Sequence, residues 1–311
     1  MQELIERLKK IKERSNYSQT DLALKIGRSP AVINQFLQGK YKGDLDDVTA
    51  RIGDFVETEE ARFDAKFKAP SFIETASTIR AKELINFARQ YRTICVLTAT
   101  SGLGKSTILK ECKTKYKHTI LIEVTPGFTP RALMRALLTV LEPDYSRSLS
   151  TADLMKECIT CLKKTEYLIL VDEAELLPYQ TLEALRRLYD MTEVGLVLAG
   201  LPRLSSNLLG EDGEHVQMYS RVSQYLDLND KFSRRDFDAL VVRMMPEAVD
   251  DEIRELLYLC AGHNIRRLLN IVRGVYDLSD KANSEVGIGA VQEYTNKLMN
   301  SSKGKNKPSV H

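Results

Sequence analysis

Residues 99–106 read ATSGLGKS; they follow a nearly continuous apolar run at 93–98 and lead into a helical pattern at 104–116. A loop that leaves a buried strand and enters a helix through two glycines is suited to hold phosphate. Gly102 and Gly104 free the backbone so that successive N–H groups turn toward phosphate oxygens, and the helix start adds its dipole. Ser101, Gly102, Leu103, Gly104, Lys105, Ser106 and Thr107 are therefore the expected nucleotide contacts. Lys105 supplies a charge to the β- and γ-phosphates and Ser106 a hydroxyl to Mg²⁺, so ATP and Mg²⁺ are the implied ligands. Ala99 stands where the eight-residue pattern has glycine. A small side chain suffices where the strand turns.

A second stretch, YLILVDEAE at 167–175, runs four apolar residues into an acidic pair. On a buried strand downstream of a phosphate loop, Asp172 would hold Mg²⁺ through water. Glu173 would polarise the attacking water as general base. The competing reading is a surface acidic pair.

Around these signals the pattern alternates. Strand candidates lie at 93–98, 119–124, 167–171 and 195–199, each short and apolar, as expected when helices cover both faces of a parallel sheet. Helical stretches at 104–116, 130–141, 151–163 and 178–191 separate them. The expectation is a doubly wound α/β domain over 72–230. From 231 to 299 everything reads as helix, a small lid domain, and 300–311 is a basic tail of Lys, Ser, Gly and Asn expected to be disordered.

The first 57 residues form a separate all-α unit. Ser18 is placed to cap a helix that ends at Gly27, and Ser29-Pro30 opens another that ends at Gly39. Two short helices around a glycine turn are the makings of a helix-turn-helix, with Ser29, Asn34 and Gln35 as candidate DNA contacts beside Lys25, Arg28, Lys40 and Lys42. A helical bundle used for protein docking would share this pattern. Residues 58–71 are polar, charged and end near a proline, as a linker does.

The bulk numbers bound these readings. The chain has 311 residues, 43% hydrophobic and 28% charged, with a net charge of only +2. No global basic field announces nucleic acid. No run approaches the ~20 apolar residues of a membrane span, and the start MQELIERLKK lacks the apolar core of a secretory signal. The expected location is the bacterial host cytoplasm. Five scattered cysteines read as buried reduced thiols, although Cys158-x-x-Cys161 also has the spacing of a metal or redox pair.

The phosphate loop, the DE strand, a later arginine at Ser220-Arg221 and a helical lid together resemble the AAA+ ATPases. The order of parts goes further: a repressor-like helix-turn-helix, PSFIET, TATSGLGKST, VDEAELL, VGLVLAGLPRL and YSRV. This order resembles the DNA transposition protein B family, the target selectors of Mu-type bacteriophage transposition. The resemblance implies an ATPase that forms an ATP-dependent filament or ring on double-stranded DNA with little sequence preference. Such a protein delivers that DNA to a cognate transposase, stimulates strand transfer and is released by hydrolysis.

The resemblance also implies residue roles. Arg221 would be a finger offered to a neighbour's γ-phosphate, with an ordinary salt bridge as the alternative. Arg266 and Arg267 would sense phosphate in cis. Phe72 and Thr75 would lie against adenine, largely through backbone groups, and Arg131 would touch DNA phosphate. Many such ATPases place a polar residue after the third strand of the set; Gly200-Leu201 stands there instead, which fits a slow ATPase that works as a switch. A DNA-binding regulator without a transposase partner, and an ATPase docked on a membrane-linked complex, are the competing readings.

Overall fold

A computed structural model describes residues 1–64, 67–70, 72–164, 166–209, 216–230 and 232–303. The chain divides into two compact units, Met1–Lys68 and Ala69–His311. The first unit contains α1 (Gln2–Arg14), α2 (Gln19–Ile26), α3 (Pro30–Leu37) and α4 (Leu45–Asp64). Ser18 caps α2 in a reciprocal box with Asp21, and Gly27 ends that helix in the left-handed conformation. Ser29 caps α3, with Pro30 at its first position. Leu8, Leu22, Ile33, Phe36, Val48 and Ile52 form the core of this unit. The stretch at 58–64, expected to begin a linker, continues α4. Nothing in ETEEARFD breaks a helix.

The second unit opens with α5 (Ala76–Tyr91) and then alternates: β1 (Ile94–Thr98), α6 (Lys105–Lys115), β2 (Thr119–Glu123), α7 (Pro130–Leu141), α8 (Thr151–Leu162) and β3 (Leu168–Asp172). It continues through α9 (Tyr179–Thr192), β4 (Gly195–Gly200), α10 (Arg203–Leu209), α11 (Val216–Tyr219) and β5 (Val222–Asp227). Four helices follow: α12 (Arg234–Met244), α13 (Asp251–Ala261), α14 (Ile265–Ala282) and α15 (Ile288–Lys303). The five strands form one parallel sheet in the order β2-β3-β4-β1-β5.

Strands β1, β3 and β4 are buried along their whole length. One sheet face, carrying Ile94, Val96, Ile169, Val171, Leu196 and Leu198, packs against α7 to α11. Helices α5 and α6 pack against the strands as well, and Cys95, Leu97, Leu170 and Val197, at the alternate positions, are equally buried. This is a doubly wound parallel sheet with a C-terminal helical bundle, as the sequence pattern predicts.

Two elements go beyond that pattern. β5 is an edge strand with no buried residue, half of its positions exposed and half partly covered, so VSQYLD shows no apolar run. α5 buries Ala81, Leu84, Ile85 and Ala88, and the two alanines weaken its apolar periodicity. At the other end, α15 continues to Lys303, four residues into the expected tail, and 304–311 lie outside the described residues. Among the described residues no helix is long and apolar enough to cross a membrane. Cys158 is buried on α8, its thiol donating toward the Met134 carbonyl at 3.5 Å, and burial pushes it up to about 12.

Asp236, only 3% exposed, ties the start of the α/β part to the bundle. Its Oδ2 accepts from the Ser233 N–H at 3.0 Å, closing the cap of α12. Its Oδ1 accepts from the Ala76 N–H at 2.8 Å at the start of α5. Replacing it removes the acceptor shared by two helix starts. Asp236→Ala should lower unfolding free energy in urea titration by roughly 3 kcal/mol; a loss under about 1 kcal/mol would show that the two helix starts find other acceptors.

Candidate nucleotide site

The phosphate loop sits at the carboxyl ends of the parallel strands, where ligands bind in such sheets. Ala99 ends the strand direction without a positive φ, so its Cβ causes no strain. Gly102 and Gly104 do need glycine, at φ +92° and +85°. The loop is held from both sides. On one side, Asn229 beyond β5 accepts from the Thr100 N–H at 3.0 Å and from the Thr100 hydroxyl at 2.8 Å. On the other, the start of α14 docks on it: Asn264 Nδ2 donates to the Ser101 carbonyl at 3.1 Å, and the Ile265 N–H donates to the Gly102 carbonyl at 2.9 Å.

These elements enclose a cavity of about 440 Å³. Ser101, Gly102, Gly104, Lys105, Ser106 and Thr107 line it from the loop, Asp172, Glu173 and Glu175 from the end of β3, and Leu201 and Arg203 from beyond β4. Ile265, Arg266 and Leu269 of α14 complete the wall. Lys105 Nζ donates to the Ala99 carbonyl at 2.6 Å. Burial holds its ammonium below the usual lysine range, with Glu175, then Asp172, Asp227 and Glu173 pulling the other way. A γ-phosphate brought here would meet a partly desolvated cation, which strengthens the attraction.

Asp172 is 4% exposed, and its Oδ1 accepts from the Glu173 N–H at 3.0 Å. Glu173 is exposed to the cavity and sits at φ +56°, an unusual conformation for a side-chain-bearing residue that costs roughly 1–2 kcal/mol. Such strain recurs at functional positions. Among the described residues no cluster of three His, Cys, Asp or Glu could hold a metal alone. One buried carboxylate and the Ser106 hydroxyl in a shared cavity instead fit Mg²⁺, which binds through one or two protein oxygens plus phosphates and water.

Not every expected contact lies here. Leu103 is buried and off the cavity wall, so its N–H alone could serve. Of the two bundle arginines only Arg266 lines the cavity; Arg267 is exposed, and its N–H is taken by the Asn264 cap. Phe72 and Thr75 do not line it. Lys82 Nζ lies 4.2 Å from the Phe72 ring centre, and the Thr75 hydroxyl accepts from the Thr78 N–H at 3.3 Å to cap α5. Arg221 also lies off the cavity, held by Asp190 of α9 at 2.5 Å and 3.1 Å. The acidic loop at 210–214 before it is outside the described residues. Arg131 is half-buried in the first turn of α7, 3.4 Å from the Thr151 hydroxyl. A larger cleft of about 670 Å³, lined by Arg92, Lys117, His118 and Lys164, lies at the amino ends of the strands and contains no phosphate-loop residue.

In the first unit Ser29 is a helix cap. Asn34 Oδ1 accepts from Gln19 at 3.1 Å and Gln38 at 3.2 Å, Gln35 is exposed, and Arg28 pairs with Asp47. The sequence reading passed over Glu175, Arg203, Asn229 and Asn264. Asn264 alone carried a signal, as a cap residue opening a helix.

Residues 88–208, which hold the phosphate loop, the Asp172 strand and β4, match the family described as AAA domain. The chain carries an AAA domain. The chain is also similar to the Mu-like prophage FluMu DNA transposition protein B of Haemophilus influenzae, 27% identical over 71% of this chain and 78% of that one. It is 27% identical to the ATP-dependent target DNA activator B of Escherichia phage Mu, over 70% of each. Among solved structures, the ORC2 protein of Aeropyrum pernix has a TM-score of 0.55 at 14% identity, covering 76% of this chain and 71% of that one. That likeness concerns the fold alone.

Gly102 marks where this AAA domain and its bundle touch. A Cβ there would stand 2.2 Å from Asn264 Oδ1, on top of the backbone strain. Gly102→Ala should therefore weaken ATP binding at least about 10-fold in a fluorescence titration. An affinity within about twofold of wild type would mean that the loop does not hold phosphate in this conformation.

Proposed function

We propose that this chain is an ATP-dependent DNA-binding ATPase that oligomerises on target DNA, delivers it to a cognate transposase and stimulates strand transfer, with hydrolysis driving release. One observation carries the reading. A phosphate-loop cavity with a magnesium-type donor pair and a Glu173 base lies in a chain that aligns over most of its length with a protein named as an ATP-dependent target DNA activator. Lys105 and Arg266 hold the phosphates, Ser106 and Asp172 the Mg²⁺, and Glu173 takes the proton of the attacking water. Bound Mg²⁺ offsets the charge developing on the phosphate oxygens.

Arg221 acts in trans. It lies outside its own cavity, and Asp190 presents it in a fixed geometry. A guanidinium supplied by the next subunit completes the site only in an assembly, which makes the nucleotide a glue and a timer. DNA is held through phosphate contacts, Arg131 among them, so binding is salt-sensitive and tolerant of sequence. Ser29, Asn34 and Gln35 of the first unit are the further DNA contacts, in a helix-turn-helix.

Electron microscopy of the protein with duplex DNA should show filaments or rings with ATP and none with ADP. ATP-independent coating, or no assembly in either state, would leave a nucleotide-switched regulator as the better description. Arg221→Ala should keep ATP affinity while cutting DNA-stimulated hydrolysis by about 10³-fold, the scale of a lost arginine finger. Unchanged turnover would return Arg221 to an ordinary salt bridge.

A further inference from the structure

The tip of β4 has no polar side chain, and a residue from another element fills its place. Glu175 lies in a single tight turn (Ala174–Leu176) just after β3, with its side chain 5% exposed. A Cβ built on Gly200 would stand 2.3 Å from Glu175 Oε2. The carboxylate thus occupies the space that a side chain at position 200 would take. Oε1 lies 4.0 Å from Arg203 Nη2 at the start of α10. The Glu175 carbonyl accepts from Asn207 Nδ2 at 2.9 Å, which fixes the turn against the same helix.

Oε2 is buried and makes no hydrogen bond among the described residues. A buried carboxylate oxygen without a donor is costly, and native structures retain one where function supplies the missing partner. Glu175 lines the same cavity as Lys105 and Glu173. Water that enters such a cavity during hydrolysis brings O–H donors, whereas the nucleotide phosphates bring acceptors alone.

We propose that Glu175 orients the attacking water, replacing the polar side chain that the β4 tip lacks, with Arg203 balancing its charge. The inference rests on the hydrolysis reading above. In the step, one O–H of the water gives its proton to Glu173 while the other donates to Glu175 Oε2. The water oxygen bonds to the γ-phosphorus, the bond from that phosphorus to the bridging oxygen breaks, and ADP leaves with the electron pair. Gly200 is then required by the catalytic arrangement, because any larger residue would displace the carboxylate.

The test is steady-state hydrolysis and nucleotide affinity of the full chain, as wild type and as Glu175→Gln, Gly200→Ala and Glu175→Ala with and without Gly200→Ala. Glu175→Gln keeps the shape and should lower kcat about 100-fold with KM within about threefold. Gly200→Ala should do the same alone yet add little in the Glu175→Ala background, because both changes act on one carboxylate. If wild type hydrolyses ATP and Glu175→Gln retains its kcat, the inference fails while the hydrolysis reading stands. A parallel loss of kcat and nucleotide affinity would assign Glu175 to shaping the cavity and overturn the proposal. A wild type without turnover on DNA removes both.

Discussion

The backbone of the phosphate loop is clamped between two asparagines, and the rest of the site depends on that clamp. Asn229 holds Thr100 from the β5 side, and Asn264 with the Ile265 N–H holds Ser101 and Gly102 from the bundle side. A loop that must point consecutive N–H groups outward cannot satisfy them internally, so its carbonyls and flanking residues must be fixed by neighbours. The AAA fold does this by bringing β5 beside β1 and a helix start over the loop. The sheet order follows from the same need. With β4 between β1 and β3, the phosphate loop and the acidic strand stand one strand apart, leaving a cavity between their tips.

The charges inside that cavity are set against one another. Asp172, Glu173 and Glu175 face Lys105, Arg203 and Arg266 along one wall or another. Partial burial raises the stakes of each pairing, as the depressed Lys105 ammonium indicates. A Mg²⁺–triphosphate would add a divalent cation beside the acids and oxyanions beside the bases, which is the charge pattern this cavity would complement. The same α14 start that clamps the loop carries Arg266 to the cavity. Phosphate contact and position of the bundle are thereby mechanically linked, and Asp236 links the bundle in turn to α5.

Much of this was legible in the sequence, for physical reasons. β1, β3 and β4 are buried on both faces and read as unbroken apolar runs, and the phosphate loop sits between such a run and a helix. β5 was not legible, because an edge strand facing solvent needs no apolar run. Glu175 escaped notice because a third acid after VDE looks like surface, and its environment is made by Gly200 and Arg203 far along the chain. Thr75 is expected near adenine on resemblance, through backbone groups, and its hydroxyl caps α5. Helix phase, which Asn264 sets by capping α14, puts Arg266 on the cavity wall and Arg267 off it.

The central claim is that nucleotide is held by the loop at Lys105. Calorimetric titration of the full chain with MgATP, wild type beside Lys105→Ala, tests it most directly. The account predicts one saturable site per chain in the wild type and a loss of affinity of at least about 100-fold in the variant, since a partly buried charge–charge contact is removed. Equal affinity in the two proteins would contradict it.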